Sequence, residues 1–196
     1  MSQDTQVPGD FLRPVAALFL LVCLAGCAGV TPPPEQALSG IDGIACVGGV
    51  ASPPEGLVEA DDKALLQRAL GASGAGKLCG GKVFQAIRPV TVYRVWNSEM
   101  SYTLYGGWWS FTLPKGPKDK YREENEICPS WSKLDRMSSC TIRVGTKIVS
   151  GPGQSADCSQ DQLSYPKSAV NQVFIPNDSR NNVLFVEDCT AGTSWP

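Results

Sequence analysis

The sequence predicts an α+β domain that is mostly β, with few short helices and a set of disulfides. Three observations carry this. From residue 82 onward the chain is a series of short runs rich in Val, Ile, Tyr, Phe and Trp, punctuated by Gly, Pro, Asn and Asp, which is the composition of strands and turns. Only two stretches, 57–70 and 117–126, have the makings of helices. Six cysteines lie beyond residue 27, downstream of an apolar N-terminal run, and six in an exported chain suggest three bridges.

Taken in order, residues 11–27 read FLRPVAALFLLVCLAGC. Arg13 precedes an apolar run, Val15 to Leu24, of the length of a signal-peptide core and too short to span a bilayer. The run ends in Leu24-Ala25-Gly26-Cys27, which resembles the lipobox of bacterial lipoproteins. The resemblance implies a signal peptide over 1–26, cleavage before Cys27 and a lipid on the Cys27 thiol. Ala28 follows, not Asp, which in diderm lipoproteins resembles release to the outer membrane, facing the periplasm or the surface. Residues 28–41 are Pro-rich and polar, so 27–41 reads as the lipidated cysteine and a tether. The mature chain would keep 170 of the 196 residues, one domain with room for a real core.

Residues 42–80 form a short helical segment. LVEADDKALLQRAL, 57–70, has the apolar spacing and acidic first turn of an amphipathic helix. GASGAGKL follows at 71–78. It nearly spells the phosphate loop G-x-x-x-x-G-K-[ST], but Leu78 occupies the position whose hydroxyl would hold Mg²⁺. The glycines are better read as the left-handed end of the helix.

Residues 81–196 are the β-rich body. KVFQAI, VTVYRVW, YTLYGGWWSFTL, CTIRVGTKIVSG, NQVFIP and NNVLFVEDC give six or seven strands, and the polar stretch 115–136 carries a helix around 117–126. Cysteine arithmetic sets Cys23 in the signal and Cys27 on the lipid. Cys46, Cys79, Cys128, Cys140, Cys158 and Cys189 remain, with fifteen connectivities open. No C-x-x-C pair and no histidine are present, so no metal site is expected.

Composition excludes whole classes of function. Taking Arg13, Asp4 and Asp10 from the 17 basic and 19 acidic residues leaves a net charge of −1, and no basic stripe suggests nucleic acid. Without histidine there is no Ser-His-Asp or Cys-His catalysis. Arg, carboxylates, amides, hydroxyls and aromatics must do any chemistry. Three segments hold such groups. In VTVYRVWN alternation puts Val92, Arg94 and Trp96 on one strand face, where a charge is costly unless it meets an anion or a cleft. GGWWSFTLPKGPKDKYREENEICP carries Trp108, Trp109, Ser110 and later Arg122. SGPGQ at 150–154 is followed by Asn171-Gln172 opening an apolar strand.

In this order the pieces, over residues 82–178, resemble the ADP-ribosyltransferase fold, and within it the necrotizing-toxin (TNT) type NAD glycohydrolases. The resemblance implies a split β-sheet core with the β-rich domain binding NAD⁺. It implies Arg94 on the pyrophosphate, with Arg122 also supporting the dinucleotide, and Gln172 at the ribose beside the scissile bond. Arg94 and Gln172 are the expected catalytic pair. Trp96, Trp108, Trp109 and Ser110 are the expected binding residues, the rings stacking nicotinamide or adenine. Two departures stand out. Ser168-Ala169-Val170-Asn171 replaces the family's glycine run before the glutamine, and Gln172-Val173-Phe174 has no neighbouring glutamate, which disfavours protein modification and leaves hydrolysis.

Expected activity is therefore cleavage of NAD⁺ to ADP-ribose and nicotinamide by a toxin-like lipoprotein, with NAD⁺ as substrate, no other cofactor and no metal. One alternative is a non-catalytic binding or immunity lipoprotein with a protein partner in the envelope. The other is a mono-ADP-ribosyltransferase using a glutamate elsewhere, Glu99 or Glu187.

Overall fold

The computed structural model describes residues 37–196. The signal peptide, Cys27 and most of the tether lie outside the described residues. Among those described, strands dominate, two α-helices are present and all six remaining cysteines are paired. The domain is thus mostly β with three disulfides. No described helix is long and apolar enough to cross a membrane.

The first elements depart from expectation. Residues 57–70 are not one helix. Leu57–Glu59 is a strand (β1), and the helix (α1) is Lys63–Ala69. Asp62 divides them. Its carboxylate accepts from the Leu65 amide at 2.9 Å, an N-cap that starts the helix there. Upstream, Leu57 to Glu59 pair antiparallel with Ala86 to Phe84. Nor do glycines cap the helix. It ends at Leu70 in an extended conformation, with the Leu70 amide bonded to the Leu66 carbonyl. The left-handed residues are Gly74, Gly76 and Lys77. They fold 71–78 into a closed loop whose ends exchange hydrogen bonds, Gly71 N to Leu78 O and Leu78 N to Ala69 O.

Five strands make the larger sheet. β2 (Lys82–Ala86), β6 (Lys147–Gly153) and β9 (Ser168–Phe174) lie at its centre, with β1 at one edge and β4 (Trp108–Trp109) at the other, all antiparallel. A second sheet is built on β5 (Arg136–Ile142). It pairs along its whole length with β3 (Val90–Trp96), and its other edge takes β10 (Val186–Glu187) and β11 (Thr193–Ser194). A small hairpin, β7 (Ala156–Cys158) and β8 (Leu163–Tyr165), stands apart. The helix expected at 117–126 is α2, Lys118–Glu124.

The two sheets bury one core between them. Val90, Val92, Cys140 and Ile142 of the second sheet meet Phe84, Ala86, Ile148 and Val173 of the first, with Trp109 among them. Tyr93 and Ser110 exchange backbone hydrogen bonds of 2.8 and 2.9 Å, so β3 is tied to the residue after β4. That seam brings Arg94 beside Trp108. On the outer face of the five-stranded sheet, Leu65 and Ala69 of α1 pack with Leu78, Val83 and Val149.

The bridges are Cys46–Cys79, Cys128–Cys158 and Cys140–Cys189. Cys128–Cys158 ties the segment after α2 to β7 across 30 residues. A loop of that size restricts the unfolded chain enough to stabilise the fold by about 3.5 kcal/mol. The Cys128→Ala/Cys158→Ala protein should therefore lose about that much in guanidinium unfolding, and an unmoved midpoint would refute the expectation. Cys128, Cys158 and Asp161 form a three-residue cluster of metal-ligand type, but both sulfurs are spent in the bridge.

Candidate functional site

A cavity of about 400 Å³ opens where the 71–78 loop, β3, β4, β9 and the segment after α2 converge. The loop contributes Ala75 and Lys77, β3 contributes Arg94 and Val95, β4 contributes Trp108, and β9 contributes Gln172. Asn125, Glu126, Trp131 and their neighbours complete the wall. GASGAGKL thus reaches the cavity as a wall, and not as a phosphate loop. A side chain on Gly76 would press on the Trp131 ring.

Arg94 is half-buried and anchored from behind. Its Nε donates to the Thr103 carbonyl at 2.7 Å and its Nη1 donates to the Trp108 carbonyl. The guanidinium lies over the Trp109 ring, 5.8 Å from its centroid. A side chain on Gly106 would collide with Nη2, so the glycine is what lets the guanidinium sit there. Arg94 forms no ion pair among the described residues. Burial lowers its pKa to about 10, partly offset by Tyr121, which leaves it charged at neutral pH. Two carbonyls satisfy two donors, but no carboxylate balances the charge. A partly desolvated cation of this kind favours an anionic ligand.

Gln172 is buried on β9. Its Nε2 donates to Glu126 Oε2 at 2.6 Å and to the Asn125 carbonyl at 3.2 Å. A backbone carbonyl can only accept, so the amide is fixed with its NH₂ on that side. Both amide hydrogens are committed. The carbonyl oxygen has no partner among the described residues and is the atom left for a ligand. It accepts, and therefore suits a hydroxyl or an amide N–H.

Glu126 is the group that sequence reasoning missed. It follows the end of α2 with a left-handed backbone, φ 47°, and is 1% exposed. Its Oε1 has no hydrogen-bond partner among the described residues. Burial drives the carboxyl pKa up to about 9 against the opposing pull of Gln172 and Ser168, so Glu126 is a neutral acid at pH 7. Room for it comes from β6. A Cβ on Gly153 would fall on the Glu126 carboxyl. The glycines at the end of β6 thus serve close approach: Gly153 admits Glu126, and Gly151 admits the Gly80 carbonyl.

Not all the expected residues gather here. Arg94, Gln172 and Trp108 line one cavity. Arg122 does not. It is buried with Nη1 donating to the Ile127 and Cys128 carbonyls and Nη2 to those of Ser132 and Lys133, so it holds the 127–133 segment in place. Trp96 donates its Nε1 to Ser138 Oγ at 3.1 Å on the second sheet. Trp109 is core, with Nε1 donating to the Gly106 carbonyl at 2.8 Å. Ser110 Oγ bonds the Thr112 amide and hydroxyl. Glu99 and Glu187 pair on the surface with Lys133 and Arg143, away from the cavity. The residues not foreseen are Lys77, Asn125, Glu126 and Trp131.

The chain matches no protein-family model, no curated protein and no solved structure.

Proposed function

We propose that the protein is an NAD⁺ glycohydrolase of ADP-ribosyltransferase-like architecture, releasing nicotinamide and ADP-ribose. One observation carries the reading: an arginine without a carboxylate partner, an amide with a free acceptor oxygen and two indoles converge on a single cavity. Its volume lies within the range of small-molecule sites.

The chemistry needs little more. Nicotinamide is cationic while attached and leaves neutral with the bonding electron pair, so the leaving group requires no acid. In this reading Trp108 and Trp131 flank the ring. Gln172 Oε1 accepts from a ribose hydroxyl and fixes the sugar. Arg94 holds the pyrophosphate and keeps the electrophile in place. Water adds to the ribosyl carbon and gives its proton to solvent. Glu126, neutral at pH 7, is no base. It acts through Gln172, holding that amide in the accepting orientation. At the envelope, where the lipobox resemblance would anchor the chain through Cys27, the substrate would be NAD⁺ met outside the cytoplasm.

A second reading is a binding or immunity lipoprotein without turnover. The observation in its favour is that no ionised carboxylate among the described residues lines the cavity.

The test is nicotinamide release by the disulfide-bonded protein incubated with NAD⁺. Arg94→Ala and Gln172→Ala should each lower the rate at least about 100-fold, as loss of one preorganised polar contact does. Release that both variants retain would remove the site assignment. No release from a folded native sample would leave the binding reading.

A further inference from the structure

A second cavity, about 320 Å³, is also lined by Arg94. The two cavities therefore adjoin at the Arg94 side chain. Arg180, on the 3-10 turn Ser179–Asn181, lines the second cavity as well. Its guanidinium lies over the Tyr102 ring, 5.6 Å from the centroid. Neither arginine forms an ion pair among the described residues. The acidic lining residue, Asp178, is engaged locally: Asn181 first, and Arg180 among its other neighbours, hold its carboxyl below the usual range. Its Oδ2 accepts from Asn181 Nδ2 at 2.7 Å and its Oδ1 from the Asn181 amide at 3.3 Å. Two guanidiniums facing one cleft outweigh it. The donors that remain, Arg94 Nη2 and the Arg180 fork, suit the oxygens of a phosphate.

We infer that this second cavity is a phosphate subsite, in which Arg94 and Arg180 together hold the pyrophosphate of a dinucleotide whose nicotinamide riboside half occupies the first cavity. The inference rests on the proposed NAD⁺ reading for the identity of the ligand, but the phosphate site stands on its own residues. Tyr102 orients Arg180 by stacking beneath it, as a cation over an aromatic face. Arg94 is shared, so it joins the scissile half of the substrate to the anionic half.

The test separates the two claims. The disulfide-bonded native protein, Arg180→Ala and Arg180→Lys are titrated calorimetrically with inorganic pyrophosphate and, separately, with ADP-ribose. Nicotinamide release from NAD⁺ is measured beside them. The expected result is saturable binding of both ligands, weakened about tenfold or more in Arg180→Ala, partly kept in Arg180→Lys, and matched by a rise in KM for NAD⁺. Arg143→Ala, which removes an exposed arginine paired with Glu187, should change none of these. Pyrophosphate binding that depends on Arg180, in a protein that does not cleave NAD⁺, would keep the subsite and discard the substrate. ADP-ribose bound without pyrophosphate would place the contact on the nucleoside and overturn the subsite. NAD⁺ cleavage with KM unmoved in Arg180→Ala, or no saturable binding of either ligand, would also overturn it.

Discussion

The Glu126→Gln protein should be about 5 kcal/mol more stable than the native protein at pH 8 and about equal to it at pH 4.5. Glu126 is buried with its carboxyl pKa at about 9, against 4.5 for an unperturbed glutamate. Below pH 4.5 the side chain is neutral in both folded and unfolded chains, and its full contribution to stability is present. Between 4.5 and 9 the unfolded chain releases a proton that the folded chain keeps. Stability therefore falls by about 1.4 kcal/mol per pH unit over that window and levels off above it. Glutamine is neutral throughout, has nearly the same shape and still offers Gln172 an acceptor, so its protein lacks this slope. Asp42, Asp135 and Asp178 have lowered pKa values and make both proteins less stable toward low pH, an effect that cancels in the difference. Guanidinium midpoints of the two proteins at pH 4.5, 6 and 8 give the answer. Parallel pH profiles would mean that Glu126 is ionised in the fold, and with that the account of how Gln172 is oriented would fail.

The same residue marks where the sequence stops being legible. The strands rich in β-branched and aromatic residues, β2, β3, β5, β6 and β9, are readable because their composition fits a half-buried pleated surface. β7, β8, β10 and β11 are two or three residues long, too short for an alternation to show. β10 alone falls in an apolar run, NNVLFVEDC. β1 lies hidden in a helical pattern because Leu57 and Val58 fit either period, and only the Asp62 cap and the pairing with β2 decide between them. At the site, Arg94 shows itself as a charge in an apolar strand. Arg122 misleads, since a cation in the last turn of a short helix is drawn to nearby carbonyls and four of them consume it. Glu126 gives almost no signal. It ends the charged run EENE, whose other members are at least partly exposed, and its meaning comes from Gln172, 46 residues on, and from Gly153. A contact of that span leaves no trace in local spacing. The flanking Ile127 and Cys128, which mark where the chain turns inward, were the available hint.

Gly153→Ala should be destabilised by about 2–6 kcal/mol, a loss of the order of removing one disulfide or more. The added methyl would overlap both oxygens of the Glu126 carboxyl. Overpacking of a filled core costs about 1–3 kcal/mol when neighbours shift a little. Here the neighbour has little freedom: Glu126 follows a helix end, its backbone is left-handed and its Oε2 accepts from Gln172. Relief requires breaking that hydrogen bond inside the protein, which adds about 1–3 kcal/mol. It also frees the Gln172 amide to turn, so the cavity loses its defined acceptor along with its stability. The clash is with a side chain, which makes it testable by a cycle. In Glu126→Ala the space beside Gly153 is vacant, and the methyl of Gly153→Ala should fit into it. The double variant should be at least about 2 kcal/mol more stable than the sum of the single changes predicts, where independent sites would add within a few tenths. Strict additivity would mean that Gly153 is constrained by its backbone, and that the cleft beside Gln172 does not depend on the glycine for its shape.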